Sequence, residues 1–225
     1  MKITLSFEKT QTKDTSIMVD ALRASTTITL ALNNFNEIIP CFTPEEAFEL
    51  KKEINGIIAG ERSGKRVEGF DVGNSPKDVE NYDTDIETLI LTTSNGTRIL
   101  KDMDSTVLVG SMVNAKAVGY KSVEIAENEI DVVMAGYKGN FALEDFLAAG
   151  EILYWICDRL NNECEISDYA KAAIMARLFS SGDTVGRPRS SREPWLTAIT
   201  SAPCGSDCRR RSACRISSGC SACST

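Results

Sequence analysis

Residues 88–100 read TLILTTSNGTRIL. The β-branched and apolar run over 88–93 fits a buried strand, Asn95 and Gly96 make a turn, and 96–103 fits a helix. A strand that passes straight into a helix is the repeating unit of an α/β domain, and the same alternation extends in both directions. Upstream, strands fit 15–20, 37–42 and 56–60, with helices at 22–33 and 44–54. Pro44 suits a first helical position, with Thr43 as its cap. Downstream, strands fit 106–109 and 130–135, with helices at 112–128, 143–161 and 167–176. The pattern predicts an α/β fold, a mainly parallel sheet with helices on both faces.

Such sheets bind ligands beyond the carboxyl ends of their strands, so the residues after each strand are the candidates. They are Asp20 with Arg23, the loop GERSGKRVEGFDVGNSP over 60–76, SNGTR over 94–98, Gly110 with Ser111, and GYKGNFALED over 136–145. Glycines, acids and arginines recur at this one edge. Helix N-termini and turn amides favour an anion, and arginines fork onto phosphate or sulfonate oxygens. Acids beside that anion would repel it unless a cation lies between. Magnesium, which pairs one or two carboxylates with phosphate oxygens, is the natural bridge.

Each feature also has a plainer reading. Asp20 suits a helix cap. Arg23 borders the neutral stretch ASTTITLAL, where a lone cation calls for a specific anion. The 60–76 loop carries four glycines, three acids and two arginines and is longer than a connector needs. Its GERSGK portion has the wrong spacing for a P-loop and places Arg66 where a metal-binding hydroxyl belongs, which argues against an NTPase. Asn74 and Ser75 before Pro76 read as a turn and a helix start. Asn95 and Gly96 form a tight turn, or an anion nest closed by Arg98. Glu144 and Asp145 can simply complement the positive end of a long helix. The chain has no histidine, so a Ser/His/Asp or phosphohistidine mechanism is excluded. Acid–base work falls to carboxylates, Lys, Tyr or metal-bound water.

The net charge of −7 opposes nucleic-acid binding. It divides unevenly: residues 1–176 hold 17 basic against 29 acidic side chains, residues 177–225 hold 8 against 3, and all eight of those are Arg. Five of the eight cysteines fall in the last 22 residues. One C-x-x-C pair without histidine is a poor zinc site, and a disulfide framework conflicts with a reducing compartment. The reading is therefore an α/β domain over 1–176 and an Arg/Ser/Cys-rich disordered tail over 177–225. No apolar run is long enough to span a bilayer or serve as a secretion signal, so the expected location is the cytoplasm, with no membrane partner.

Taken in series, VDALRASTTI, GERSGKRVEGFDVGNSP, TTSNGTR, VGSMVNA and AGYKGNFALED resemble the motif set of the 2-phosphosulfolactate phosphatase family, from about Met18 to Asp145. The resemblance implies a magnesium-dependent phosphatase that converts 2-phospho-3-sulfolactate to 3-sulfolactate and inorganic phosphate, a step of coenzyme M biosynthesis. It makes Asp20, Arg23, Glu61, Arg62, Asp71, Asn74, Ser75, Asn95, Gly96, Arg98 and Glu144 site candidates. Among them, Asp20, Glu61 and Asp71 suit Mg2+ ligation or acid–base roles, and Glu144 joins the catalytic group. The three arginines suit phosphate, carboxylate and sulfonate, with Asn74, Ser75, Asn95 and Gly96 as further substrate contacts. The chain departs from the family pattern after about Ala176. The alternative is a non-catalytic binder of small phosphorylated or sulfonated acids. A homo-oligomer is compatible with either reading.

Overall fold

The computed structural model describes residues 1–100 and 103–180, without the side chains at positions 97 and 98. The expected tail therefore falls almost wholly outside the described residues. The strands are β1 (Lys2–Phe7), β2 (Thr15–Val19), β3 (Glu37–Cys41), β4 (Gly56–Arg62), β5 (Lys65–Arg66), β6 (Thr88–Thr92), β7 (Thr106–Gly110), β8 (Glu129–Met134) and β9 (Glu165–Ile166). The helices are α1 (Ala24–Ala31), α2 (Pro44–Glu53), α3 (Pro76–Glu80), α4 (Gly96–Leu100), α5 (Ala115–Ile125), α6 (Leu143–Arg159) and α7 (Asp168–Ser180).

The strands divide between two sheets. The first has the order β7-β2-β8-β1-β9 and is parallel throughout. The second has the order β3-β6-β4-β5, with only the short β5 antiparallel. The twofold alternation of each strand sorts its side chains between two cores. Met18, Val133 and Ala135 of the first sheet meet Leu89, Leu91, Ile57 and Ala59 of the second, together with Ile28 and Ala31 of α1 and Val79 of α3. On the outer face of the second sheet, Ile58, Ile90 and Cys41 pack on Ala47 and Phe48 of α2. On the outer face of the first sheet lie α5 and α6 over β2, β7 and β8, with α7 against β1. The layers thus run helix, sheet, helix, sheet, helix.

The α/β class and the parallel strands agree with the sequence reading, but the division into two sheets does not follow from it. Alternation along the chain fixes each strand's faces and leaves pairing partners open. The strand β1 was missed because KITLSF, with Ile3 and Leu5 inward and Lys2 and Phe7 outward, reads as a polar N-terminus. Thr43 caps α2 as expected, its hydroxyl accepting the Glu46 amide at 3.1 Å while the Glu46 carboxylate accepts the Phe42 amide at 2.7 Å. The last helix continues past Ala176 to Ser180. No helix among the described residues is long and apolar enough to cross a membrane.

The contact between α6 and α7 depends on Gly150. A Cβ there would lie 2.2 Å from the carbonyl oxygen of Ala173, an approach only glycine permits. In an open helix Gly→Ala stabilises by roughly 0.5–1 kcal/mol. Here Gly150→Ala is expected to destabilise by about 1–3 kcal/mol, because α7 must move off α6. Urea unfolding of the two proteins checks the sign.

Candidate active site

Both sheets present their carboxyl ends to one region, and three acids fall there. Asp20 follows β2, Glu61 ends β4, and Asp145 stands in the first turn of α6 after β8. All three side chains are buried. Each holds two backbone amides. The Asp145 carboxylate accepts the amides of Ala21 at 2.8 Å and Gly136 at 2.9 Å, joining the loops after β2 and β8. Asp20 accepts Ala24 at 3.3 Å and Gly96. It therefore caps α1, as the sequence suggests, and also binds the first residue of α4 on the other sheet. Glu61 accepts Ser94 at 2.8 Å and Gly64 at 2.7 Å, joining the loop after β6 to the β4–β5 hairpin. The result is a chain of carboxylate–amide bonds across the ends of β8, β2, β6 and β4.

Gly96 is where this chain crosses between the sheets. A Cβ at that position would lie 2.7 Å from Cβ of Ala24 and 2.9 Å from Oδ2 of Asp20, so only the bare backbone fits. The amides of Ser94 and Gly96, read from sequence as an anion nest, are thus held by the protein's own carboxylates. Asn95 lies between them, half-buried.

The carboxylates differ electrostatically. Burial, then the neighbouring Asp145 charge, push Asp20 up to about 6, against the pull of the Ala24 and Gly96 amides. Burial also raises Asp145 to about 6, with Glu144 adding to the rise and the Ala21 and Gly136 amides opposing it. For Glu61, burial acts upward, but the Gly64 and Ser94 amides, the Ser94 hydroxyl and Arg62 together outweigh it, and its carboxyl ends below the usual range.

The remaining candidates are differently engaged. The Arg62 guanidinium donates to the carbonyls of Glu61 (2.8 Å) and Phe42 (2.6 Å) and to the Thr92 hydroxyl (2.7 Å), bracing the ends of three adjacent strands. Asp71 pairs with Lys51 of α2 and accepts the Ile58 amide at 2.8 Å, three residues before Glu61 on β4. Ser75 caps α3, accepting the Asp78 amide. Asn74 is buried, and its Oδ1 has no hydrogen-bond partner among the described residues. Arg23 stands at the N-cap position of α1, half-buried, with no ion pair among the described residues. The Arg98 side chain lies outside the described part. Glu144 is half-buried beside Asp145.

The family resemblance names Glu144, and the structure adds its neighbour Asp145, which clasps two loops. The signal was present: Asp145 precedes Ala148, Ala149 and Ile152 by three, four and seven residues, which places it on the buried face of α6.

Hard carboxylate oxygens are the donors magnesium prefers, and that ion commonly takes one or two carboxylates and fills its other positions with water and phosphate oxygens. Asp20 and Glu61 with the open Asn74 Oδ1 fit this donor chemistry. Asp71 is committed to Lys51. Among the described residues no three Cys, Asp or Glu side chains are gathered closely enough to hold an ion by themselves.

The raised carboxyls fix a sign for pH. Between about 4 and 6 the folded state binds more protons at Asp20 and Asp145 than the unfolded chain does, so their contribution to stability falls as pH rises through that window. Removing one charge relieves the repulsion only where both are ionised. Asp20→Asn is therefore expected to raise stability by about 1–2 kcal/mol at pH 8, and the gain should vanish near pH 4. Unfolding midpoints across that range test it.

The sequence profile described as 2-phosphosulpholactate phosphatase matches residues 2–192, which runs past Ala176. A 2-phosphosulfolactate phosphatase from Methanothermobacter thermautotrophicus is 46% identical over 193 residues, covering 85% of this chain and 80% of that protein. A probable 2-phosphosulfolactate phosphatase from Clostridium acetobutylicum is 40% identical over 174 residues, covering 74% and 72%. One from Clostridium beijerinckii is 37% identical over 166 residues, covering 71% and 69%. With similarity of this extent running through all three acids and the loops they join, the chain belongs to the 2-phosphosulfolactate phosphatase family.

Proposed function

We propose that this chain is a magnesium-dependent phosphatase that hydrolyses 2-phospho-3-sulfolactate to 3-sulfolactate and inorganic phosphate. Family membership supports the reaction class, a phosphoric monoester hydrolysis. The observation that carries the reading on this chain is the row of buried acids at the shared carboxyl edge of two sheets, with an arginine lacking an ionic partner among the described residues at the same edge.

Asp20 and Glu61 would hold the cation, and Asp145 fixes the loops after β2 and β8. Magnesium, when bound, supplies charge neutralisation between these acids and the phosphoryl oxygens. Arg23 binds an anionic group of the substrate. The Asp20 carboxylate takes the proton of the attacking water as the bond from phosphorus to the substrate's 2-oxygen breaks, and that departing oxygen takes up a proton to leave as the hydroxyl of 3-sulfolactate; two amide bonds keep Asp20 from turning away. Positioning and charge compensation supply most of the rate.

Phosphate release from 2-phospho-3-sulfolactate is expected with Mg2+, to stop in excess EDTA, and to fall by about a hundredfold or more in Asp20→Asn. Undiminished turnover in EDTA removes the metal from the reading. Binding of the substrate without phosphate release makes the chain a binder. Arg23→Ala is expected to raise KM roughly tenfold or more for the sulfonated substrate and less for a simple phosphate monoester, since a charge-assisted contact is lost only with the former. Equal effects on both remove Arg23 from sulfonate or carboxylate recognition.

A further inference from the structure

We propose that the side-chain oxygen of Asn74 is a neutral ligand of the divalent cation, completing with Asp20 and Glu61 the protein's share of its coordination; this rests on the magnesium reading above. Asn74 is 5% exposed, and its Oδ1 has no hydrogen-bond partner among the described residues. Buried carbonyl oxygens are almost always satisfied, and one that is not calls for an absent donor or ion.

Its position brings it to the acids. Val72 pairs in parallel with Ala59, and the Gly60 amide bonds the Val72 carbonyl at 3.2 Å, so this segment runs alongside β4 toward the same carboxyl edge. Gly73 then lies against Arg66, which is itself paired with Glu61. Asn74 follows, and α3 begins two residues later. The helix α3 that follows is itself tied to α1. Its C-terminal end meets that of α1, because Asn34 donates to the carbonyls of Val79 (3.3 Å) and Tyr82 (2.8 Å) and Asn33 donates to Glu80 (2.8 Å). The two helices are thus packed together, with Asp20 and Arg23 just before one and Asn74 two residues before the other.

The charge balance favours a neutral ligand there. Asp20 and Asp145 already repel one another, and a further carboxylate would add to that repulsion and to that felt by a phosphate dianion. With Asp20 and Glu61 ionised, one Mg2+ cancels their charge, and an amide oxygen adds a hard donor without changing the sum.

The test is calorimetric titration of the full chain with MgCl2 without substrate, and with inorganic phosphate in metal-free buffer. The expected result is that Asn74→Ala weakens Mg2+ binding on the order of tenfold or more, that Asn74→Asp, which keeps an oxygen, binds Mg2+ at least as well as the parent, and that metal-free phosphate binding is unchanged. If Asn74→Ala binds Mg2+ as the parent does while Asp20→Asn has lost it, the assignment of Asn74 is overturned and the magnesium reading stands. If the parent itself takes no Mg2+, both fall. Loss of metal-free phosphate binding in Asn74→Ala with Mg2+ affinity intact also overturns the proposal, since the amide then faces the anion. Circular dichroism confirms folding. Should Asn74→Ala not fold, a folded Asn74→Asp that has lost Mg2+ affinity overturns it as well.

Discussion

A row of buried carboxylates, each clasping two backbone amides, holds the functional edge of this protein together. Asp145 ties the end of β8 to that of β2, Asp20 ties β2 to the start of α4 on the other sheet, and Glu61 ties the end of β6 to the β4–β5 hairpin. Amide bonds to an ionised acceptor are shorter and stronger than neutral ones. They also satisfy the loop amides that the parallel sheets leave unpaired at their ends. The bonds do not fully compensate the charges, since Asp20 and Asp145 both remain well above the ordinary carboxyl range.

That incomplete compensation joins architecture to chemistry. A site made only for stability would use fewer charges or place a cation among them, as the protein does where Lys51 meets Asp71. At the carboxyl edge burial and mutual repulsion leave Asp20 and Asp145 with raised carboxyls that their amide partners do not offset. Perturbed acids concentrated in one place are characteristic of functional sites, and the Asp20–Gly96 contact puts this one where two sheets converge. Both sheets pack through a common core that includes α1, and the acids are carried on strand ends and helix starts of that framework.

The basic side chains near this edge differ in their partners. Arg62 braces three strand ends through two carbonyls and the Thr92 hydroxyl. Arg23 stands at the start of α1, half-buried and without an ionic partner among the described residues. Two residues of the same type, both adjacent to strand ends in sequence, thus end in different surroundings.

The α/β class, most strands and helices, and the carboxyl-edge loops as the place to look are legible in the residues alone, because strand and helix periodicities and turn residues are local properties. So are Thr43 and Ser75 as caps, whose partners lie three residues away. Only the tertiary structure decided that the strands form two sheets with α1 between them, because a strand's alternation fixes its faces and not its neighbours. It alone showed that Asp145 joins the acids, that Arg62 is a brace and that Asp71 belongs to Lys51. Those assignments depend on which side chains meet across 20 to 124 residues of sequence. Such meetings are set by packing of the layers, which no local pattern encodes.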